Sequence, residues 1–416
     1  MMKEKRPKTL FSKAFDRAEG SISVSRSSLA RGARATVCIL VAFAVVLSVG
    51  GCEKPTDTHT LKDDLTVQAA TNTTIYSTLS SRISENRTFV PNLSAKAAVL
   101  LEEGSGEILF GLNADEELPM ASTTKIMTAL VVLNLCDDLS QSVPIPSEAV
   151  GVEGSSVYLK QGEIWTVEEL LYALLLHSAN DAATALAVSV AGSAENFVKS
   201  MNETAISLGL SHTHFENPHG LDSQRHYTTA YELGLIMRAA LQNSRFRQIS
   251  GAKRFTVSAT ANRTERILVN HNKMLWNYEG VIGGKTGYTR HSGRSLVCAA
   301  TRNDLTLIAV TINDPDDWRD HAALFDYGYA VWETAVLAEE YGFRYEIPVV
   351  TGSCKSVTVS NRRSVSCQLP KSRPEIVQRA ELPRFLYAEP KTGEHLGTLR
   401  FFFRGKEIGN SPLVVV

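Results

Sequence analysis

Cysteine is scarce in this chain and shows no pattern. Its six cysteines stand far apart, none in a C-x-x-C pair, which argues against both a disulfide framework and a cysteine-based metal site. Excess charge is missing as well: 43 Lys and Arg face 44 Asp and Glu, for a net charge of -1. That balance gives no electrostatic footing for nucleic acid. No repeat stands out, and no apolar run reaches the roughly 20 residues of an ordinary spanning helix. What is present is bulk: 416 residues, 44% of them hydrophobic, enough for two or three domains with extensions.

The N-terminus has its own character. Basic residues from Lys3 to Arg34 precede the apolar run Thr36 to Val49, which ends in Gly50-Gly51-Cys52. Basic then apolar is the order of an export signal or an N-terminal anchor with its basic side in the cytoplasm. Small residues directly before a cysteine resemble a bacterial lipoprotein cleavage site, with Cys52 the lipidated residue. An uncleaved short anchor and ordinary secretory cleavage are the alternatives, and all three put the rest of the chain outside the cytoplasmic membrane.

Residues 53–92 are rich in Thr, Ser, Asp and Asn and read as a polar linker after the 1–52 signal or anchor. Folded patterning begins near Ala97 with a hairpin signal, Ala97–Leu101 and Ile108–Phe110 around Glu103-Gly104-Ser105-Gly106. Beyond Pro119, Ile126, Met127, Leu130 and Leu133 recur at helical spacing. Thr166 and Glu169 make a capping box before a leucine-rich helix, and an alanine-rich helix runs from Asp181 to about Gly192. Ser295–Thr301 and Leu305–Ile312 read as strands about a turn at Arg302-Asn303-Asp304. An amphipathic helix is expected over roughly 321–340, then short strands. The pattern predicts an α+β catalytic domain over 93–342, an antiparallel sheet packed with helices, and a small all-β domain over 343–416.

Three short motifs carry the chemistry. Ser122-Thr-Thr-Lys125 puts a hydroxyl and an amine three residues apart on one helix face. A serine attacks only when a base removes its proton, and lysine serves as that base only when burial or a neighbouring cation lowers its pKa. Lys285 can be that cation. The backbone N–H of Ser122, at the helix start, can point toward a developing oxyanion. Ser178-Ala-Asn180 offers a proton relay and a carboxamide from an interhelical loop. Lys285-Thr286-Gly287 suits a substrate carboxylate and lets a peptide approach a sheet edge. Each motif is cheap alone: Ser250-Gly-Ala-Lys253, Ser84-Glu-Asn86 and Lys391-Thr-Gly393 repeat the letters. Only the first set combines helix start, interhelical loop and strand in order, and it predicts acyl transfer through a serine ester.

The stretches Leu118–Thr128, His177–Ala183 and Gly283–Thr289, with Asn217-Pro-His-Gly-Leu-Asp222 and His226–Tyr231, resemble the signatures of the serine D-alanyl-D-alanine carboxypeptidases. These are the low-molecular-mass penicillin-binding proteins; the three-motif set of their superfamily is a known pattern. The resemblance runs from about Ala95 to the end of the chain. It implies Ser122 as acylated nucleophile, Lys125 as general base, and Ser178 and Asn180 in proton transfer and substrate orientation. Lys285, Thr286 and Gly287 would hold the terminal carboxylate region, and the N–H of Tyr288 would complete the oxyanion hole. The implied substrate is the peptidoglycan stem pentapeptide, which loses its terminal D-Ala, and β-lactams would acylate the same serine. No cofactor or metal is implied.

Some relatives bind the carboxylate with an arginine downstream of the third motif, and Arg319 lies in the right neighbourhood without aligning cleanly. Many relatives end in an amphipathic membrane helix, whereas this chain stops after its β region, so anchoring is expected of the N-terminus. A class A β-lactamase shares the motif logic but uses S-D-N and a deacylating glutamate; here Ala179 stands in the middle and Glu216 has no matching context. A D,D-endopeptidase and a non-catalytic wall- or lactam-binding protein are the other readings. Cys136 and Cys298 are expected as buried thiols, a Cys354–Cys367 disulfide is left open, and His219 and His226 read as loop-fixing residues.

Overall fold

The computed structural model describes residues 72–79, 90–372 and 375–416. Cys52 and the apolar run before it lie outside the described residues, as does the Ser84 motif. Among the described residues no helix is long and apolar enough to cross a membrane.

The region that carries the three motifs is built on a five-stranded antiparallel sheet. Its strands are β2 (Ala97–Glu102), β3 (Ile108–Leu112), β8 (Val281–Thr289), β9 (Gly293–Arg302) and β10 (Leu305–Ile312), in the order β3-β2-β10-β9-β8. Successive side chains of a strand point to opposite faces, and here both faces are covered. Ala97, Val99, Leu101, Val297, Ala299, Ile308 and Val310 face the larger core. Leu100, Leu296, Cys298, Ala300, Leu307 and Ala309 face a second core. That is why β2, β9 and β10 read as unbroken apolar runs. The turn joining β9 to β10 has φ of 47° at Asn303 and 59° at Asp304, the pair of positive values that a two-residue hairpin favours.

The larger core is filled by α1 (Lys125–Leu135), α2 (Val167–Leu176), α3 (Asn180–Ala191), α4 (Ala194–Ser207), α5 (Ala230–Leu241) and α6 (Ser244–Gly251). Thr166 and Glu169 form the expected capping box at the start of α2. The second core is closed by α8 (Asp317–Val331) through Leu324 and Phe325. Two hairpins, β4–β5 (Ser142–Pro144, Ile164–Thr166) and β6–β7 (Arg254–Val257, Arg266–Val269), add Val143, Trp165, Val257 and Leu268 to the larger core, and the short α7 (Met274–Asn277) adds Met274 to the second.

The helix expected over 321–340 begins earlier and stops at Val331. Trp332–Ala338 is instead a strand, β11, paired with β14 (Val365–Pro370). Ala335 and Leu337 enter the C-terminal core while Val336 is exposed, a period of two that prevails over helix propensity. The β-structured part therefore begins ahead of residue 343. The remaining strands are β12 (Arg344–Thr351), β13 (Ser356–Asn361), β15 (Ile376–Pro383), β16 (Leu386–Ala388), β17 (His395–Phe403) and β18 (Lys406–Val415). With β1 (Asn72–Leu79) they form a sheet of order β1-β15-β17-β18-β13-β12-β16.

Its first strand is a correction. β1 (Asn72–Leu79) lies inside the stretch expected as a solvated linker, and it pairs antiparallel with β15. Its composition, NTTIYSTL, is rich in β-branched and aromatic residues that suit a strand and poor in large apolar residues that mark a core. Cys354 and Cys367 are both free thiols, Cys367 on β14 and Cys354 in the turn between β12 and β13. Cys298 is buried as expected, whereas Cys136, at the C-terminal end of α1, is only partly so.

Candidate active site

Ser122 does not sit in the α-helix itself. It lies in a 3₁₀ turn, Ala121–Thr124, and α1 starts at Lys125. In a 3₁₀ turn residues three apart eclipse, so the hydroxyl and amine are brought together by local geometry. Lys125 Nζ lies 2.8 Å from Ser122 Oγ, 2.7 Å from Asn180 Oδ1 and 2.6 Å from the carbonyl oxygen of His219. Lys125 is fully buried. Burial holds its pKa well below the lysine value, Lys285 pushes it down further, and Asp181 opposes both. A neutral amine has two hydrogens, which match the two carbonyl oxygens. Its lone pair is then left for the Ser122 hydroxyl, the arrangement of a general base.

The turn is held from outside. Ala121 has a φ of 48°, a left-handed value that costs a residue with a Cβ. Gly220, at φ +88°, lies so close that a Cβ on it would meet the Ala121 carbonyl oxygen at 1.9 Å. His226 fixes the same turn. Its Nδ1 accepts from the N–H of Glu216 at 3.0 Å, so its Nε2 carries the proton toward Thr124 Oγ1, 2.8 Å away. Thr124 Oγ1 in turn donates to the Ala121 carbonyl at 2.7 Å. Burial pushes the His226 pKa down to about 4, which keeps that tautomer neutral.

Ser178 and Asn180 join α2 to α3. Ser178 is buried and has a φ of 61°, a second strained residue at the site. Asn180 presents Oδ1 to Lys125, while its Nδ2 donates to the Glu153 carbonyl at 2.6 Å and its backbone N–H to Ser155 at 2.7 Å. The loop carrying Glu153 is clamped by Asp181, whose buried carboxylate accepts from Ser156 Oγ (2.6 Å), the Leu159 N–H (3.0 Å) and the Val157 N–H (3.3 Å).

Lys285, Thr286 and Gly287 lie on β8, the edge strand of the sheet. Lys285 is buried and donates to the Thr286 carbonyl at 2.7 Å; burial pushes its pKa down to about 7. A Cβ on Gly287 would lie 3.2 Å from the backbone nitrogen of Ser122, so the bare glycine leaves room for a substrate atom beside that N–H. Tyr288 follows and is 66% exposed.

Ser122, Lys125, Asn180 and Gly287 thus converge in one place. Arg319, on α8, has its guanidinium held by Asp316 (3.1 Å), the residue that caps the helix, and Asp320 (2.8 Å). Glu216 is engaged by Ser223 and Arg225. The duplicate motifs fall elsewhere, Ser250 in α6 against Gly283 and Lys391–Gly393 in the turn before β17. Sequence reasoning missed the His219 carbonyl, the Gly220 contact and the Asp181 clamp. The stretch Asn217–Asp222 drew notice only through its resemblance.

A family model described as D-alanyl-D-alanine carboxypeptidase, peptidase S11, matches residues 84–316. The chain belongs to this family. It is 30% identical over 328 residues to the D-alanyl-D-alanine carboxypeptidase DacF of Bacillus subtilis, covering 77% of this chain and 84% of the relative. With DacC of Escherichia coli the figures are 31% over 353 residues, 78% and 84%. Among solved structures, penicillin binding protein 5 from Haemophilus influenzae matches at 29% identity and a TM-score of 0.59, over 79% of this chain and 98% of that one. The Streptomyces K15 DD-transpeptidase matches at 33% and 0.56, over 58% and 99%. This S11 peptidase is therefore a serine hydrolase with the penicillin-binding-protein fold.

Proposed function

We propose that the protein is a serine D,D-carboxypeptidase that removes the terminal D-Ala of peptidoglycan stem pentapeptides, with Ser122 as nucleophile. The observation that carries this reading is the 2.8 Å contact between Ser122 Oγ and the buried Lys125 Nζ. The peptide lies along β8 with its terminal carboxylate toward Lys285 and Thr286. Neutral Lys125 takes the Ser122 proton as Oγ attacks the carbonyl of the penultimate D-Ala. The N–H groups of Ser122 and Tyr288 hold the oxyanion, each contributing about 3–4 kcal/mol of transition-state stabilisation. Ser178 relays the proton held by Lys125 to the departing nitrogen, so free D-Ala leaves and Lys125 is neutral again. Water then attacks the ester, Lys125 accepting its proton and returning it to Ser122 Oγ as the ester bond breaks. A β-lactam ring enters the same path and leaves its acyl group on Ser122.

The basic and apolar N-terminus and Cys52 support export and attachment to the outer face of the cytoplasmic membrane, with Cys52 lipidated. The mass of the mature N-terminus tests that part: a diacylglyceryl group on Cys52 is expected, and an intact Met1 contradicts it. For the reaction, D-Ala release from a D-Ala-D-Ala-terminated peptide is measured for wild type and Ser122→Ala. Release is expected from the first alone, and equal release from both would remove Ser122 from its role.

A further inference from the structure

Two imidazoles stand where the second and third motifs meet, and the acyl-transfer steps use neither. His177 caps the C-terminus of α2 and directly precedes Ser178. His271 belongs to the loop Asn270-His271-Asn272, and its backbone N–H donates to the Leu176 carbonyl at 3.1 Å. The loop is built firmly: Asn270 Nδ2 donates to the carbonyls of Ser250 (3.0 Å) and Ala252 (2.9 Å), and Asn272 Nδ2 donates to Cys298 Sγ (3.2 Å). It lies against β8 at Gly284, where a Cβ would come within 2.9 Å of Asn272 Nδ2. Lys285 is the next residue.

The rings of His177 and His271 are 5.1 Å apart at their centroids, tilted by 50°. His177 Nδ1 is buried and makes no hydrogen bond. The charged groups facing the pair are Lys285 on β8, felt by both rings, and Asp181 on α3, felt by His177. Loss of solvent lowers the pKa of His177, with Asp181 opposing and Lys285 assisting. Loss of solvent, Lys285 and His177 together bring His271 down to about 4. Both rings are therefore neutral near pH 7 in the free protein. At this separation two imidazolium charges repel, so the pair takes one proton before it takes two.

We infer that the His177–His271 pair is a positioning element for the free carboxylate at the end of the substrate, and that binding of that carboxylate draws one proton from solvent onto the pair. The inference rests on the carboxypeptidase reading, in which Lys285 and Thr286 receive that group. The carboxylate brings a negative charge to a place that now holds one cation and two neutral rings. An anion nearby raises an imidazole pKa, and the proton taken up adds a second positive charge to the carboxylate end. The pair thus favours substrates with a free terminal carboxylate, most strongly in mildly acidic solution.

The test is calorimetry of a D-Ala-D-Ala-terminated peptide binding to the full-length Ser122→Ala protein, in buffers of different ionisation enthalpy, from pH 4.5 to 9. Two waves of proton uptake are expected. One lies near pH 5 and comes from the imidazole pair; the other lies at and above pH 7 and comes from Lys285. Adding His271→Asn or, independently, His177→Gln shifts or shrinks the lower wave, the two together remove it, and the upper one stays. In the active enzyme the same substitutions raise KM progressively as pH falls below the free-protein value, toward a limit of about 3–10-fold, the full effect of half to one pKa unit. They raise it by less than about twofold at pH 8, and kcat stays within about twofold. A merely structural role would move kcat and KM together at every pH. An unchanged lower wave in both variants, or that joint movement, overturns the inference. If the wild-type enzyme neither binds nor cleaves the peptide, the carboxypeptidase reading falls and takes this with it. Cleavage without the lower wave defeats only the role of the pair.

Discussion

The α-carbon of Gly220 packs against the carbonyl oxygen of Ala121 so tightly that any side chain would collide with it. That contact sets the strained peptide immediately before Ser122. Gly220 follows His219, whose carbonyl oxygen receives Lys125 Nζ. One loop therefore positions both the Ser122 hydroxyl and the Lys125 amine.

Gly220→Ala should consequently act on the chemistry from outside it. The added methyl meets backbone rather than a movable side chain, and the φ of +88° disfavours it independently. Acylation by penicillin is expected to slow by at least about 100-fold, with a loss of roughly 1–3 kcal/mol in stability. Stopped-flow acylation and urea unfolding measure the two effects. Near-normal acylation would mean that the loop does not define the Ser122 position.

The two lysines predict a bell-shaped dependence of kcat/KM on pH. Lys125 must be neutral, so activity rises as pH passes upward through its depressed pKa. Lys285 must be charged to attract the carboxylate, so activity falls above about 7. Lys285→Gln removes the falling limb. It also removes a cation that depresses Lys125, so the rising limb moves to higher pH. A rising limb that stays in place or moves to lower pH would show that the two amines are not coupled.

Asp181 is expected to matter through the loop it clamps rather than through substrate. Asp181→Ala deprives the N–H groups of Val157 and Leu159 of a buried acceptor, at a cost of about 1–3 kcal/mol. The Glu153 carbonyl then loses its fixed place beside Asn180 Nδ2. A fall in thermal stability with about a tenfold drop in kcat/KM is the expected result, and Ser156→Ala should be milder. Full activity in Asp181→Ala would separate the loop from the site.

Acid should unfold the protein through buried histidines. Burial brings His219 and His321 to about 3 and His226 to about 4, against about 6.5 in an unfolded chain. Their contribution is complete above pH 6.5 and is lost as pH falls toward the folded values. Each histidine adds about 1.4 kcal/mol per pH unit to the slope of stability between those limits. His321 packs against Phe325 of the second core, and His321→Gln should lower that slope by one proton. Urea unfolding at several pH values measures it, and an unchanged slope contradicts the assignment.

Much of the site was legible in the sequence because side chains carry it. Ser122, Lys125, Ser178, Asn180 and Lys285 stand in a fixed order, and the capping box at Thr166 and the Asn303-Asp304 turn announced the elements that hold them. What stayed hidden is work done by backbone atoms: the His219 carbonyl, the Glu153 carbonyl and the bare α-carbon of Gly220. Nothing in their side chains marks that role. The helix that ends at Val331 was over-extended because Trp332–Glu340 is made of adequate helix formers, and only pairing with β14 decides for a strand. β1 was missed for the same reason, since its partner β15 lies some 300 residues away in sequence.

The most direct test of the central claim is to locate the penicillin adduct. Wild-type protein is incubated with benzylpenicillin, digested and mapped by mass spectrometry. A single penicilloyl group on the peptide containing Ser122 is predicted, absent from Ser122→Ala and strongly slowed in Lys125→Ala. An adduct on another residue, or labelling of Ser122→Ala at the wild-type rate, would contradict the assignment of Ser122 as the nucleophile.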